Sequence, residues 1–495
     1  MRLESTVRST ILLALISACS TSKSKDGELS PPGATPQETP PTASAPGEPS
    51  APGEPSAPSD PSAPDAASDG GDGKSDPVDA EPISPWAPPT ETGAVAFPYT
   101  AYKCGYAIRQ VSPANPAAIF HDPAAGSTPK PRNLHLTIAG NAATSVVIQW
   151  ATDADTKQTE VRFGDAPDKL DKIAHGFSFA AGGGRRQHEV HLCGLAPGKT
   201  FYYDAGGAAA RSKVHKVTTA PDAPTEVKIL VGGDTRSNPS VWGSMASSAL
   251  AQGPTAMVLS GDAVANGGEQ AQWDQLFESA PDLFAELPGL WAHGNHEALD
   301  ELYFQQFALP DHGGAAAQVE QWFATTYGPV RFVVLNDTVS SSSQLSGAEK
   351  QFLDATLKAV DRTRTPFVAT MHHKPMYTIS SGHSSDTNLR SQWGPLFAQY
   401  RVDIDIAGHV HSYESTKPIM AGTTEVTTEA AGGTRFFNFG GGGAPLYDLA
   451  AREPWIQTAE KTNGFAILKV DATSMTWKAY RRDGSVIETI AIPKR

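Results

Sequence analysis

The segment VKILVGGD, residues 227–234, is a short apolar run that ends directly at an aspartate. Four later segments repeat this arrangement, with a residue capable of binding a metal just after an apolar run. They are AMVLSGD at 256–262, LWAHGNHE at 290–297, FVATMHH at 367–373 and VDIDIAGHVH at 402–411. Short apolar runs bounded by glycine are typical of buried strands. The pattern therefore predicts five strands, each followed by Asp, Asn or His.

The stretches between these strands are long enough for crossover helices. One stretch carries Phe352, Leu353, Leu357 and Val360 at the spacing of one helix face. Strands that alternate with helices are typical of an α/β fold, with the sheet in the core and the helices outside. Residues just beyond the strand ends of such sheets gather at one rim. We therefore expect the Asp, Asn and His side chains of the five segments to meet there.

Each segment alone is weak evidence for a metal site, because an aspartate at a strand end is common and a lone histidine is more often a core residue. The combination is stronger. In GHVH, residues 408–411, His409 and His411 point to the same side of an extended segment. All five segments in this order favour a metal-binding rim over purely structural positions.

The series resembles the signature of the calcineurin-like metallophosphoesterases. The matching positions are Gly233-Asp234, Gly261-Asp262, Gly294-Asn295-His296-Glu297, His373-x-Pro375 and Gly408-His409-x-His411. The glycine-rich run at 440–445 and the segment at 463–466 resemble later parts of purple acid phosphatase-like enzymes. The resemblance implies an α/β/β/α sandwich over residues 226–495 and a dinuclear-metal hydrolase of phosphate esters.

The resemblance also implies how the side chains divide between two metal ions. The first ion would take Asp234, Asp262 and His411, and the second would take Asp262, Asn295, His373 and His409. Imidazole and carboxylate ligands suit Fe, Mn or Zn rather than Cu(I). Two cations about 3.5–4 Å apart can lower the pKa of a bound water and hold the phosphoryl oxygens. The bridging aspartate, Asp262, is therefore counted among the catalytic residues.

Further roles around the metals follow from the same resemblance. His296 would give a proton to the leaving alkoxide, a role that contributes about 10²–10⁴ in rate. His383 would act on the bound phosphate and contact it, and Asn295 is a second phosphate contact. Arg236 is either a phosphate contact, because its planar fork suits bidentate binding, or a surface arginine.

Four neighbouring residues are harder to place. Glu297 is expected to orient nearby groups and His293 to be structural, whereas Arg390 either contacts substrate or pairs with an acid. Either histidine of the pair His372-His373 could be the ligand, and the spacing His-x-Pro-x-Tyr from residue 373 favours His373.

Two positions depart from the resemblance. Purple enzymes carry a tyrosine ligand where this chain has Ala265, and many other metallophosphoesterases carry a histidine where it has Arg236. The first metal therefore lacks both usual extra ligands, which leaves Asn266 or water to fill the gap. We expect a protein without the purple colour of ferric tyrosinate.

Upstream, residues 100–222 show the period-two pattern of short strands, for example at 134–138 and 188–192. Short strands with turn signals predict a β-sandwich. Residues 194–203 resemble the corner before a late strand of fibronectin type III domains, and a small domain before the catalytic one is the purple acid phosphatase arrangement. The histidines His135, His188 and His191 are expected on strand surfaces rather than as ligands.

The N-terminal 19 residues have the pattern of a secretory signal rather than a membrane-spanning helix. Arg2 and Arg8 precede the apolar run 11–16, and Ile-Ser-Ala-Cys at 16–19 resembles a bacterial lipobox. The resemblance implies a lipid on Cys19 and an exported protein of the outer membrane, periplasm or cell surface. The alternative is a plain signal peptide with a chance cysteine.

Residues 20–99 are rich in Pro, Ser and acids, and APGEPS at 45–50 repeats at 51–56. Such composition predicts a disordered tether, and most of the net charge of −14 resides in it. The chain shows no basic run interleaved with aromatics, so no nucleic-acid partner is expected. With Cys19 lipidated, Cys104 and Cys193 form a disulfide in an oxidising compartment or remain two buried thiols.

These observations favour a phosphomonoesterase, similar to acid phosphatases, acting on a small-molecule phosphate ester. A phosphodiesterase or nucleotidase is the nearest alternative, because the same metal pair serves all three. A non-catalytic surface-binding lipoprotein is the alternative of a different class. The retained His296 and the metal-ligand series argue against it.

Overall fold

The computed structural model describes residues 84–85, 91–312, 314–338 and 345–495. The predicted signal peptide, Cys19 and most of the predicted tether lie outside the described residues. Within the described part, no helix is both long and apolar enough to cross a membrane.

The first half of the described chain is made of strands. They are β1 (Ser84–Pro85), β2 (Ala118–Phe120), β3 (Arg132–Thr137), β4 (Ser145–Asp153), β5 (Glu160–Gly164), β6 (Lys172–His175), β7 (Phe177–Ala181), β8 (Arg185–Cys193), β9 (Thr200–Gly206) and β10 (His215–Thr218). The order β1-β6-β5-β9-β10 forms one sheet, and β2-β7-β8-β4-β3 forms the first part of a second sheet. Buried side chains from both sheets, such as Trp150, Val161 and Tyr203, pack into one core. The predicted β-sandwich is therefore confirmed.

The second half alternates strands and helices. Its strands are β11 (Val227–Gly232), β12 (Ala256–Leu259), β13 (Gly289–Trp291), β14 (Phe323–Tyr327), β15 (Val330–Val334), β16 (Phe367–Met371), β17 (Ile404–Ala407), β18 (Tyr413–Thr416), β19 (Arg435–Phe439), β20 (Ile456–Glu460), β21 (Gly464–Val470), β22 (Ser474–Arg481) and β23 (Val486–Pro493). Its helices are α1 (Pro239–Ala251), α2 (Gln270–Ser279), α3 (Pro281–Glu286), α4 (Glu301–Gln306), α5 (Ala348–Lys358), α6 (Thr387–Gln392) and α7 (Gly394–Gln399), with one 3₁₀ turn at Ala316–Gln318.

Two sheets form the centre of this domain. One has the order β13-β12-β11-β21-β22-β23, and the other has the order β14-β15-β16-β17-β19-β18-β20. A large apolar core lies between them, in which the Phe437 and Trp477 rings stack with centroids 4.0 Å apart. Helices lie on the outer faces, and α5 buries Leu353 and Leu357 as its spacing predicts. The predicted α/β/β/α sandwich is confirmed.

The two domains share one sheet. Strand β13 of the second domain pairs in parallel with β3 of the first at Gly289 and Thr137, which makes the second sheet of the β-sandwich part of an eleven-stranded sheet. The expectation that His135, His188 and His191 lie on strand surfaces is wrong, since all three are buried. The reason is that this sheet is covered on both faces. His135 stacks on Phe277 of α2 with ring centroids 4.4 Å apart.

The chain before β2 also belongs to the fold. Phe97 and Tyr99 pack their rings edge-on against Phe177, at 5.9 and 6.2 Å between centroids. A disulfide joins Cys104 to Cys193 at the end of β8, across 89 residues of sequence. The predicted tether, residues 20–99, therefore ends earlier than expected, because its last aromatic residues have an apolar surface to cover.

A half-buried ion pair connects the domains. Both terminal nitrogens of Arg185, at the start of β8, donate to the carboxylate of Asp274 on α2. Asn133 donates to the same carboxylate at 2.6 Å. Burial opposes ionisation here, but the hydrogen bonds from Arg185 and Asn133 outweigh it and hold the pKa of Asp274 below its ordinary value.

Replacing this carboxylate tests the connection. Asp274→Asn should lower the free energy of unfolding at pH 7 by about 1.5–3 kcal/mol, because hydrogen bonds to a charged group are lost. Since the folded-state pKa is lowered, the contribution is complete above the ordinary value of 3.8 and disappears as pH falls through the folded-state value. Urea denaturation at several pH values measures both effects.

The matched control is Asp448→Asn, which removes an ion pair with Lys461 from a side chain that is 80% exposed. Its cost should be below about 1 kcal/mol. Equal losses for the two variants at pH 7 would show that the Arg185–Asp274 pair does not stabilise the connection.

Candidate metal centre

The five predicted strands end at one rim. Strands β11, β12 and β13 are parallel neighbours in one sheet, and β16 and β17 are parallel neighbours in the other. Parallel strands carry their carboxyl ends to the same edge. The residues that follow these ends are Asp234, Asp262, Asn295, His373, His409 and His411. The structure brings all six together.

Three of these residues have left-handed backbone conformations, with φ of 53° at Asp234, 52° at Asp262 and 64° at His409. This region costs a residue other than glycine on the order of 1–3 kcal/mol and persists where surrounding contacts enforce it. Glycines allow the loops to approach. A Cβ on Gly294 would collide with the backbone N and Oδ1 of Asp262. The glycines before Asp234, Asp262, Asn295 and His409 are therefore needed for close packing of the ligand loops.

Four donor atoms converge on one point. The Nε2 atom of His373 lies 3.3 Å from Asp262 Oδ1, 3.1 Å from Asn295 Oδ1 and 3.2 Å from His409 Nδ1. The ring of His373 is held by its Nδ1, 2.8 Å from the carbonyl oxygen of Ser260. A carbonyl only accepts, so Nδ1 carries a proton, and in the neutral ring the lone pair of Nε2 faces the other donors. This set, here called the second site, fits a metal ion.

The charges around the second site favour a cation. Burial opposes protonation of His373, but the carboxylates of Asp262 and Asp234 outweigh it and raise its pKa to about 10. Burial and the repulsion from His373 lower the pKa of His409 to about 2. One positive charge is thus favoured among these side chains and a second is not.

Two of the ligands predicted for the first metal ion, Asp262 and His411, contact Arg236. Arg236 Nε donates to Asp262 Oδ2 at 3.1 Å, and its terminal nitrogen donates to His411 Nε2 at 3.2 Å. The Arg236 side chain is 13% exposed, so it is not a surface arginine. His411 Nε2 lies 3.4 Å from Asp234 Oδ1. Asp234, Asp262 and His411 are here called the first site. Because Asp262 and His411 already contact a guanidinium, this site does not fit a metal ion as it stands.

The predicted phosphate-handling residues line the mouth of the centre. His296 Nδ1 donates to the carbonyl oxygen of Ala265 at 2.8 Å, which leaves its Nε2 toward the centre, 3.9 Å from Asp262 Oδ2. The His383 ring stacks on the His409 ring with centroids 3.9 Å apart.

Tyr447 was not predicted from the sequence. Its ring stacks on His411 at 4.2 Å, and its hydroxyl lies 3.4 Å from His383 Nε2. The feature of the sequence that could have identified Tyr447 is its position just after the glycine-rich run at 440–445. In that run, the N–H of Ala444 donates to the carbonyl oxygen of Asp234 at 3.0 Å.

Glu297 holds the ligand loops in register. Its carboxylate, which is fully buried, accepts hydrogen bonds from the backbone N–H groups of Asp262 at 3.0 Å, Gly294 at 2.7 Å and Val264 at 3.2 Å. Burial, followed by the charge of Asp262, raises the pKa of Glu297 to about 7. Glu297 therefore has the contacts expected of an orienting residue, because it binds backbone groups of two loops.

The remaining ambiguous residues lie beside the centre. His372 points away from it and sits between Asp337, at 2.9 Å, and Asp405, at 3.1 Å. Although burial opposes protonation, these carboxylates raise the pKa of His372 to about 10. Because His372 contacts these two carboxylates, His373 is the histidine that faces the donors of the second site. His293 is buried and accepts the N–H of Leu299 at 2.7 Å.

Arg390 and Asn266 have local partners. The guanidinium of Arg390 donates to the carbonyl oxygen of Met376 at 2.6 Å and lies over the Tyr377 ring, so it neither lines the centre nor pairs with an acid there. The Asn266 side-chain oxygen accepts the N–H of Gly268 at 3.1 Å instead of facing the first site.

Another histidine cluster lies in the β-sandwich. His121 and His175 approach Glu160 at 3.5 and 3.3 Å. The backbone N–H of Thr159 donates to His121 Nδ1 at 2.9 Å, which places the ring proton on Nε2. Arg211 also pairs with Glu160. Glu160 is therefore paired with Arg211, and His121 has the wrong tautomer for a metal ligand.

Family comparisons match both domains. Residues 131–219 match the family model described as purple acid phosphatase, N-terminal domain, and residues 227–413 match the model described as calcineurin-like phosphoesterase. An uncharacterized protein of Mycobacterium tuberculosis is 26% identical over 373 residues, which cover 66% of this chain and 70% of that protein. A phosphoenolpyruvate phosphatase of Allium cepa is 26% identical over 318 residues, 57% of this chain and 62% of that protein.

The fold is similar to a solved structure of the same architecture. A purple acid phosphatase from seeds of yellow lupin, Lupinus luteus, superposes with a TM-score of 0.64 at 19% identity and covers 74% of each chain. The comparison shows a shared fold for the two domains together.

Replacing Glu297 tests its role. In Glu297→Gln, the amide nitrogen would face at least one backbone N–H that now donates to a carboxylate oxygen. Leaving a buried donor without an acceptor costs about 1–3 kcal/mol, so we expect that loss in the free energy of unfolding, measured with urea. Glu278→Gln, at an exposed position of α2, is the control and should change little. Equal stability of Glu297→Gln and the parent would contradict the role.

Proposed function

We propose that this protein is a metal-dependent phosphomonoesterase, because residues 227–413 match the calcineurin-like phosphoesterase model and follow a match to the purple acid phosphatase N-terminal domain. One observation carries the proposal. The four donor atoms of Asp262, Asn295, His373 and His409 converge beside His296, Arg236 and His383. These are the components that hydrolysis of a phosphate ester requires.

The second site would hold the metal. A bound divalent cation there polarises a phosphoryl oxygen and lowers the pKa of a bound water. Imidazole, carboxylate and amide donors suit Fe, Mn or Zn. Ala265 stands at the tyrosine position of the purple enzymes, which supports a protein without their colour. The metal ion expected in the first site stays a prediction. Arg236 contacts two side chains of that site, Asp262 and His411.

His296 would protonate the leaving group. The carbonyl oxygen of Ala265 fixes its ring through Nδ1, so the protonated ring presents Nε2–H to the centre. A water that has lost one proton to solvent would bond to phosphorus through its oxygen as the ester P–O bond breaks, and the departing oxygen would take the proton of His296. His383, stacked on His409, would contact the phosphoryl oxygens, and the positive charge of Arg236 would attract them.

The choice of a monoester rests on chemistry at the mouth of the centre. A monoester dianion offers two negative charges to Arg236 and a metal, whereas a diester offers one. The onion relative is named for a phosphomonoester, phosphoenolpyruvate. A phosphodiesterase or nucleotidase with the same centre is the alternative, and a non-catalytic binding protein would not need His296 held in place by Ala265.

Cellular location is part of the proposal. We infer an exported lipoprotein anchored through Cys19, on the lipobox resemblance at residues 16–19. The Cys104–Cys193 disulfide supports an oxidising compartment.

Hydrolysis assays test the function. After chelator stripping, the protein should hydrolyse p-nitrophenyl phosphate when Mn, Zn or Fe is added, and the bis-ester more slowly. Asp262→Ala should lose turnover, because Asp262 belongs to the donor set. His296→Asn should lower kcat by about 10²–10⁴ for an alkyl phosphate, whose leaving group needs a proton, and less for the p-nitrophenyl ester.

His175→Asn, in the β-sandwich, is the matched histidine control and should keep full activity. A folded protein with no turnover on either ester and any of the three metals would favour the binding-protein alternative. Faster hydrolysis of the bis-ester would favour the phosphodiesterase.

A detergent-partition experiment tests the anchor. The protein expressed with its own N-terminus in a bacterium should enter the detergent phase, because acyl chains contribute about 0.8 kcal/mol per buried methylene. Cys19→Ala should move it to the aqueous phase. Detergent partition unchanged by Cys19→Ala, or an aqueous parent, would contradict lipidation at Cys19.

A further inference from the structure

The guanidinium of Arg236 contacts Asp262 and His411, two of the three side chains that the family resemblance assigns to the first metal ion. We propose that Arg236 replaces that ion, so that the protein holds a single metal, in the second site, beside a built-in organic cation. The inference rests on the proposed function, because it concerns the metal content of the same centre.

The contacts of Arg236 use the atoms that a metal would use. Asp262 divides its two oxygens: Oδ1 lies 3.3 Å from His373 Nε2 in the second site, and Oδ2 accepts from Arg236 Nε at 3.1 Å. Asp262 therefore still lies between two groups, but these are the donor atoms of the second site and the guanidinium of Arg236.

The tautomer of His411 agrees with this arrangement. Its Nδ1 lies 2.6 Å from the carbonyl oxygen of Pro445, which can only accept, so the proton is on Nδ1. The lone pair on Nε2 therefore faces Arg236, whose terminal nitrogen donates to it at 3.2 Å. The ring is held in this orientation by Tyr447, stacked at 4.2 Å.

The backbone keeps Arg236 beside the centre. Its N–H donates to the carbonyl oxygen of Asp262 at 3.2 Å, and its own carbonyl accepts the N–H of Asn238 at 2.8 Å. Thr235 Oγ1 donates to the carbonyl oxygen of Ala263 at 3.0 Å. The segment is thus attached to the loop that carries Asp262, and its side chain is directed into the first site rather than into solvent.

The guanidinium offsets part of the negative charge of the first site. Asp234 is fully buried, and its Oδ2 accepts the N–H of His409 at 2.9 Å. Its Oδ1 has no hydrogen-bond donor within the described ranges. A fixed guanidinium in contact with Asp262 and His411 supplies positive charge to the first site, and a second cation in the same space would be repelled by it.

The metal content of the full chain tests the proposal. After loading with excess Mn²⁺ and removal of unbound ion, elemental analysis should find about one Mn²⁺ per chain, with the electron paramagnetic resonance spectrum of an isolated ion. Arg236→His removes the guanidinium and adds the imidazole of other metallophosphoesterases. It should bind about two Mn²⁺ per chain and show a spin-coupled spectrum.

Two further variants complete the design. Arg236→Lys keeps a cation and should stay near one Mn²⁺ per chain, and Arg364→His, at an exposed position, is the matched control and should also stay near one. If Arg236→His does not fold, Arg236→Ala replaces it and should gain the second ion.

The outcomes separate this inference from the proposed function. About two Mn²⁺ in the parent, none in the parent, or no gain in either Arg236→His or Arg236→Ala would overturn the inference. About one Mn²⁺ in the parent and a gain in Arg236→His would support it even if no phosphate ester were hydrolysed, a result that would sink the proposed function alone.

Discussion

The buried carboxylate of Asp262 is the group around which the centre is arranged. Its Oδ1 faces His373 and accepts the N–H of His296, and its Oδ2 accepts from Arg236. Burial of a carboxylate is costly unless it is paired or hydrogen-bonded. These partners outweigh that cost and lower the pKa of Asp262 below its ordinary value. The two sheets that meet at this rim bring the partners within reach.

Supporting charges lie beneath the centre. Glu297 binds the loops that carry Asp262 and Asn295, and His372 lies between Asp337 and Asp405 under His373. Each group occupies a fully buried position with its partners supplied by a different part of the chain. The ligand loops can therefore keep left-handed backbone at Asp234, Asp262 and His409, because the surrounding contacts exceed the strain.

Much of this arrangement could be predicted from the sequence alone. The five strands were visible as apolar runs, and each metal-capable residue followed its strand within a few positions. Where prediction failed, the cause was contact between distant segments. His135 was expected on a strand surface, but α2, more than 130 residues later, covers that face of the sheet. Phe97 and Tyr99 were assigned to the tether, but the sheet containing Phe177 binds them.

The sequence by itself determined the two domains, their order, and which residues end the strands, because periodicity and strand-end position are local properties of the chain. Tertiary structure alone decided that His373 rather than His372 faces the donors, that Tyr447 stacks on His411, and that Arg236 points between Asp262 and His411. Residues 236 and 411 are joined only when two sheets pack face to face. The direction of a long side chain depends on that packing, and the pattern around Arg236 in the sequence does not contain it.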